Sequence, residues 1–416
     1  MRYPEKYFCG PGLSRYPSNL LERGLKLFND KIAIKAPITG ETGIDGVLLD
    51  FNCGLRLQIP EGNWHVRIGV DDVTFFDADV ERVTLISMEK FYIEWEIALW
   101  LDGEPIFYHQ FDPRGARVHF VFAQPPIGDN IAMLPYAEEF RRAFDCEVTC
   151  KVPDAFTAIV ENYFPTLKLS KALPDDAYAC YYLAGWMNLP IATPADMRSM
   201  TMESFCRAIL NTPKIRQPSK VIYTPTEPRK IMEPYVCIGV QASYNPKCWL
   251  STGGWDCVVD HLKAMGYRVL CIDRDRRCSN YGMTVEMPAG AEDFSGSYDL
   301  IDRINQLAYA DFFIGLSSGL SWLAWAVDVP VVMISGITEY WYEFASAYRV
   351  SNQTVCHGCF NSLAVDCLKI YDCPKYHGTD RVYECSKQIS VRQVIDAIDQ
   401  LIADRRLIPS RERSCL

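Results

Sequence analysis

Between Cys356 and Cys385 the chain carries five of its seventeen cysteines, as Cys356-His-Gly-Cys359, Cys367, Cys373-Pro and Cys385. A Cys-x2-Cys hook lets two thiolates reach one metal ion from a single tight turn, and Gly358 relaxes that turn. Two later cysteines from a second loop complete a tetrahedral sulfur site, which suits zinc as well as iron on physical grounds. The N-terminus, Met1-Arg-Tyr-Pro-Glu-Lys, lacks a charged-then-apolar leader, so the expected compartment is the cytosol. Thiols stay reduced there, and clustered ones read as metal ligands rather than disulfides.

Four other constellations could carry chemistry. Pro126-Ile-Gly-Asp129 lies at a strand-to-helix turn, where Gly128 permits close approach of a ligand. Asp129, expected at the first helical position, is placed to act as a general base; its plainer role is a helix N-cap. Lys247 lies in the loop Ser243 to Trp249, directly after a strand, where an ammonium can neutralise a phosphate. Ser317, Ser318 and Gly319 open a helix whose free N–H groups attract phosphate. Gly336-Ile-Thr338 follows the next strand as a second phosphate-side loop. Asp273, at the end of another strand, could bond ribose hydroxyls, although the charged run after it reads as a solvated loop.

The elements that must position these residues fall into three parts. Residues 1–117 alternate apolar and polar, as in Gly54-Leu-Arg-Leu-Gln-Ile-Pro, Trp64-His-Val-Arg-Ile-Gly-Val and Phe91 to Trp100. Turn signals at Glu61-Gly-Asn63 and Asp102-Gly103 separate such runs, so a small β-sandwich or barrel is predicted. Residues 118–230 open with the apolar strand Val118 to Ala123, the loop Gln124 to Gly128 and a helix over Asp129 to Phe144. Residues 231–416 alternate strands and helices, with the cysteine segment 354–388 inserted before an amphipathic closing helix, Ser390 to Arg405. The fold class is therefore α/β, with two Rossmann-like domains behind a β-rich start.

A net charge of -10 argues against nucleic acid or an anionic membrane as the main partner. The longest apolar run, Phe312 to Val327, is cut by Asp328 and Pro330 and is too short for a membrane span. It reads as a buried helix feeding a buried strand.

Two α/β halves with a Gly-Asp at the first turn suggest a GT-B glycosyltransferase. More narrowly, Ile127-Gly-Asp129-Asn-Ile-Ala-Met-Leu-Pro135, the Ser243 to Trp249 loop and Asp311 to Ala326 resemble segments of the ADP-heptose heptosyltransferases. With the β-rich start and the cysteine segment added, the chain resembles the bacterial autotransporter heptosyltransferases over nearly its whole length. The resemblance implies that Asp129 is the base for the acceptor hydroxyl and Lys247 stabilises the departing diphosphate. It also implies that Ser317, Ser318 and Gly319 hold that diphosphate, and that Cys356, Cys359, Cys373 and Cys385 bind one structural iron. Cys367 is left out because Cys373-Pro matches the family motif better; His357 and His377 are reserve ligands. ADP-heptose as donor, serines of an adhesin passenger as acceptor and a dodecameric homo-oligomer are further implications.

Two positions depart from the lipopolysaccharide enzymes: Ser317 stands where they typically have Asp, and Trp322 where they have His. Two rival readings follow. One is a GT-B transferase that uses another nucleotide sugar. The other is a metal-stapled assembly or adaptor protein with a degenerate sugar site.

Overall fold

The computed structural model of the 416-residue chain describes residues 3–33, 35–122, 126–185, 189–280, 283–366 and 369–407. Gln124 and Pro125 of the expected loop, and Cys367, lie outside them. The chain divides into two compact units: Met1–Pro125 with Met133–Met197 and Glu203–Ser219, and Pro126–Ala132 with Arg198–Met202 and Lys220–Leu416.

In the first unit the strands of residues 1–117 divide between two sheets. Trp64–Val70, Val73–Val80, Glu96–Leu101 and Glu104–Gln110 form a four-stranded antiparallel sheet. The hairpin turn between the last two uses Asp102 and Gly103, both with positive φ, as a tight two-residue turn requires. The strands Glu5–Phe8, Leu48–Asn52, Arg56–Ile59 and Val83–Ser87 instead join Arg117–Val121, Glu147–Lys151, Lys168–Leu169 and Ala177–Tyr182 in one eight-stranded sheet. The sheet runs unbroken across the expected boundary at 117/118, since Phe51 pairs with Ala179 and Asn52 with Cys180. Alternation marks a strand and its faces, whereas the partner is chosen by which edge groups need hydrogen bonds. The β-rich region also holds a helix, Ser18–Lys31, which buries Leu21, Gly24 and Phe28 on one stripe. In the run Phe91 to Trp100 the strand begins only at Glu96; Phe91, Tyr92, Ile93 and Trp95 are all buried ahead of it.

The second unit is built on a six-stranded parallel sheet. Its spatial order is Glu292–Asp293, Arg268–Cys271, Tyr235–Ile238, Phe313–Leu316, Val331–Ile334, Tyr348–Val350. Numbered along the chain, that is 3-2-1-4-5-6, the order of a doubly wound nucleotide-binding sheet. The central strands Tyr235–Ile238, Phe313–Leu316 and Val331–Ile334 are buried at every position, as helices on both faces demand. Val236, Ile238, Val258, Leu262, Ile314, Val332, Ile398 and Leu401 share its core. The closing helix Val391–Arg405 starts on a capping box between Ser390 and Gln393. The apolar run Phe312 to Val327 folds as the strand Phe313–Leu316 and the helix Gly319–Ala326. Among the described residues no helix is long and apolar enough to cross a membrane.

Candidate functional site

A 3-2-1-4-5-6 sheet reverses direction between its first and fourth strands, and ligands bind beyond the carboxyl ends of those strands. Here these are Ile238 and Leu316. The lysine loop follows the first, and Ser317, Ser318 and Gly319 follow the second. The segment Pro126–Ala132 belongs to the same unit, so Asp129 lies with them.

Asp129 sits inside the first turn of the helix Ile127–Phe144, two residues past its start, so it is not an N-cap. Two glycines seat this turn. A Cβ on Gly128 would lie 2.6 Å from Cδ1 of Trp322, and one on Gly319 would lie 2.6 Å from Cβ of Ile127. The Asp129 turn and the Gly319–Trp322 turn therefore touch backbone to side chain, and Trp322 is buried in that contact against Trp325 and Phe344. Desolvation pushes the Asp129 carboxyl up to about 6, with the Lys247 ammonium pulling the other way. Such a carboxylate is ionised at neutral pH yet basic enough to accept a proton.

Lys247 is part-buried in the short turn Asn245–Lys247, with Nζ 4.9 Å from the centroid of the Tyr244 ring. Burial alone would lower its pKa, but Tyr244, Glu343 and Asp129 outweigh burial and the group rises. Burial also raises the Tyr244 phenol, which is therefore neutral at physiological pH. The working anions around the lysine are Glu343 and Asp129.

Ser318 is the N-cap of Gly319–Ala326 but makes no side-chain cap bond, and among the described residues its buried Oγ has no partner. A helix start with free N–H groups and an orphaned hydroxyl suits a phosphate. Ser317 is engaged elsewhere: its Oγ donates to Glu343 Oε1. Glu343 Oε2 accepts from Arg349 Nη1 at 2.7 Å, and Arg349 Nη2 donates to Thr338 Oγ1 at 2.9 Å. Thr338 Oγ1 also meets Ser335 Oγ at 2.7 Å. The Thr338 hydroxyl thus belongs to a buried network linking two loops. Asp273 is 2% exposed, and its carboxylate accepts from Val240 N at 2.8 Å and Gln241 N at 3.3 Å. Burial first of all raises it to about 6. Both oxygens clasp the loop after Ile238, so neither is turned toward a ribose in this arrangement.

Glu343 and Arg349 are absent from the sequence reading. One carboxylate inside the aromatic run Trp341-Tyr-Glu343-Phe344 is the signal that could have found them, because a charge in such a run is buried only with a partner.

The cysteine segment lies against both loops. A Cβ on Gly336 would lie 2.2 Å from the carbonyl oxygen of Cys385. Gly358 N donates to Gly336 O at 2.9 Å, Phe360 N to Ile337 O at 3.0 Å, and Glu339 N to Asn361 Oδ1 at 2.9 Å. On the lysine side, Asn245 Nδ2 donates to the Tyr383 hydroxyl at 3.3 Å, and Ser386 Oγ donates to Cys248 O. Leu250 N returns a bond to Ser386 Oγ at 2.8 Å.

Cys359, Cys373 and Cys385 are buried, Cys356 is part-exposed, and every described cysteine is a free thiol. Burial, and then the neighbouring cysteines of the same set, push Cys359 and Cys385 up to about 12. Thiols set close enough for Cys359 and Cys385 to feel the others fit a soft cation, which would convert the set to thiolate ligands. Among the described residues no three His, Cys, Asp or Glu side chains are drawn tightly enough to form a metal site as they stand. The thiols are neighbours in an open arrangement. His357 Nδ1 meets Val355 O at 2.8 Å and His377 Nδ1 pairs with Asp372, bonds that commit one ring nitrogen of each reserve ligand.

Known proteins resemble this chain over most of its length. The family model "Glycosyltransferase TibC, N-terminal domain" matches residues 43–103, and "Glycosyltransferase family 9 (heptosyltransferase)" matches residues 212–364. The autotransporter heptosyltransferase BAHTCr of Citrobacter rodentium is 35% identical over 392 residues, 91% of this chain and 94% of that protein. The crystal structure of TibC from enterotoxigenic E. coli, an iron-containing dodecameric glycosyltransferase, superposes with a TM-score of 0.84 at 33% identity. It covers 89% of this chain and 100% of TibC. A second TibC structure, in complex with ADP-D-beta-D-heptose, gives a TM-score of 0.82 at 34% identity, with the same 89% and 100% coverage. BimC of Burkholderia thailandensis, an inactive autotransporter heptosyltransferase, is 30% identical over 372 residues, 85% of each chain. The fold and site define a mixed α/β glycosyltransferase of family 9. Within it, the chain belongs to the autotransporter heptosyltransferases.

Proposed function

We propose that this chain is an inverting protein O-heptosyltransferase of GT-B architecture that moves heptose from ADP-heptose to serine hydroxyls of an autotransporter passenger. One observation carries the reading. Asp129, Lys247 and the start of the Gly319–Ala326 helix share one unit, at the switch point of its parallel sheet. The acceptor oxygen attacks the anomeric carbon from the face opposite the nucleotide, and Asp129 takes its proton. The C–O bond to the diphosphate breaks, and ADP leaves with its charge held by Lys247, the Ser318 hydroxyl and the free N–H groups that open the Gly319–Ala326 helix.

TibC is iron-containing and dodecameric, and by likeness this chain takes iron on Cys356, Cys359, Cys373 and Cys385 and forms a homo-oligomer. Bound there, the metal would fold the segment that braces the Gly336 and lysine loops, and nothing in the comparisons favours zinc. The expected place of action is the cytoplasm.

A second reading, an adaptor with a spent sugar site, draws on the inactive relative BimC. One assay separates the two: intact mass of a passenger fragment after incubation with the chain and ADP-heptose, beside UDP- and GDP-sugar controls. Mass gains in heptose steps with ADP-heptose alone are expected. No gain with any donor, from well-folded protein that binds ADP, would favour the adaptor.

A further inference from the structure

A lysine ends in a compact charge on a flexible four-carbon stem, and ordering that stem costs rotamer entropy. If Lys247 had to find the diphosphate afresh at each binding event, that cost would come out of the affinity it supplies. The turn Asn245–Lys247 holds the stem in advance. Lys247 N donates to the Tyr244 carbonyl at 3.1 Å and closes one 3₁₀ turn, and Pro246 inside it fixes its own φ. Residues three apart in such a turn stand on the same side, so Tyr244 and Lys247 meet for a purely local reason. The ammonium lies 4.9 Å from the centroid of the Tyr244 ring, within the range of a cation–π contact.

The ring is itself pinned. Tyr244 is 7% exposed, and Tyr371 packs against it with 5.4 Å between centroids and 75° between planes, an edge-on arrangement. The neighbouring residues are tied as well. Asn245 Nδ2 donates to the Tyr383 hydroxyl at 3.3 Å, and that hydroxyl donates to Asp372 Oδ1. Two consecutive residues of the cysteine segment, Tyr371 and Asp372, thus brace two consecutive residues at the lysine turn, Tyr244 and Asn245. A ring suits this work better than a carboxylate would. A carboxylate touching the ammonium would neutralise it and would have to be displaced by the diphosphate, whereas a ring orders the stem and leaves the positive charge for the ligand.

We propose that Tyr244 is a positioning residue for the Lys247 ammonium, and that Tyr371 is the wedge that keeps its ring in place. The assignment rests on the reading above, in which Lys247 meets the diphosphate of the donor.

The test is a double-mutant cycle on the affinity of the full chain for ADP, read by calorimetry. Tyr244→Leu keeps apolar bulk and removes the ring. It should weaken ADP binding roughly 5- to 30-fold when Lys247 is present, and by less than about twofold in the Lys247→Met background, where there is no cation left to hold. Tyr244→Phe restores the ring without the hydroxyl and should bring affinity back to within about twofold of wild type. An equal loss from Tyr244→Leu in both backgrounds would show that the ring shapes the loop and not the lysine, and would overturn the proposal. A Phe variant as weak as the Leu variant would do the same, by assigning the hold to the hydroxyl. Should Tyr244→Leu fail to fold, Tyr371→Leu carries the test from a position that is 43% exposed. Its smaller loss of affinity must likewise vanish with Lys247→Met, and a loss that persists there sinks the idea. If Lys247→Met alone leaves ADP affinity unchanged, the diphosphate reading falls and this assignment with it. If Lys247→Met weakens ADP binding and Tyr244→Leu does not, the assignment alone falls.

Discussion

Replacing Asp129 with asparagine should move activity and stability in opposite directions. The carboxyl rises from 3.8 to about 6 because the fold strips it of water, and the Lys247 charge recovers only part of that loss. A gap of roughly two units corresponds to about 3 kcal/mol at 1.36 kcal/mol each. Asp129 keeps some solvent contact, so roughly 1–2 kcal/mol is the working figure. The folded-state pKa is raised, so the native protein binds this proton more tightly than the unfolded chain does. Stability from this group is present below about pH 4, falls as pH rises, and is fully lost above the folded pKa near 6. At pH 8, Asp129→Asn lacks the buried charge and should melt roughly 2–8 °C higher than wild type; at pH 4 the two should coincide. Transfer should fall by roughly 10²- to 10⁴-fold, the usual contribution of a general base. The wild-type kcat/KM should climb tenfold per pH unit below about 6 and level off above it. Differential scanning fluorimetry at pH 4 and 8 reads the first effect, and intact-mass quantification of heptose from pH 5 to 8.5 reads the second. Wild-type turnover by the variant would remove Asp129 from the base role. A variant that melts lower than wild type at pH 8 would show that the carboxylate is stabilising, contrary to its burial.

Three further outcomes test the rest of the site. Lys247→Met should weaken ADP binding by roughly 10- to 100-fold, the worth of one charge-assisted bond, read by calorimetry; unchanged affinity would move the diphosphate away from this loop. Gly336→Ala puts a Cβ 2.2 Å from the Cys385 carbonyl, backbone against backbone, and should destabilise the second unit by roughly 1–3 kcal/mol in thermal unfolding. Cys359→Ser should lose most of its bound metal by elemental analysis and also weaken ADP binding, and a variant with full metal content would show that Cys359 is not a ligand.

What could be read from the chain depended on whether a signal was local. The strand at Arg117–Val121, the helix at Gly254–Ala264 and the closing helix after Ser390 are set by periodicity within a few positions, and these stood out in sequence. The pairing of Phe51 with Ala179 joins residues more than a hundred positions apart, and alternation says nothing about which edge a strand will find. The helix Ser18–Lys31 was hidden because its buried stripe is thin: Leu21, Gly24 and Phe28, with a glycine in the middle. Asp129 and Lys247 stood out because each follows a strand directly. Asp273 follows a strand too, and shows the weakness of that rule, since the backbone amides of Val240 and Gln241 take its carboxylate. Glu343 lies as far past Ile334 as Lys247 does past Ile238 but matches no motif; its burial rests on contacts with Ser317 and Arg349 that only the fold creates.

Trp322 and the cysteine segment are both explained by the same need, which is to hold loops still. A site that stabilises a leaving diphosphate gains only from donors already in place, because donors that must be ordered during the reaction return part of their energy as lost entropy. Trp322 fills the space a Cβ on Gly128 would take, so the bulky residue and the glycine form one fitted contact that seats the Asp129 turn. The cysteine segment does the same for the other two loops. Its Gly358, Phe360 and Asn361 bond the Gly336–Glu339 stretch, and its Tyr383 and Ser386 bond Asn245, Cys248 and Leu250 around Lys247. In sequence the thiols stand more than a hundred residues from Lys247 and look like a separate module. In the fold Tyr383 and Ser386, on either side of Cys385, bond the Lys247 loop, so what orders that segment also orders the loop.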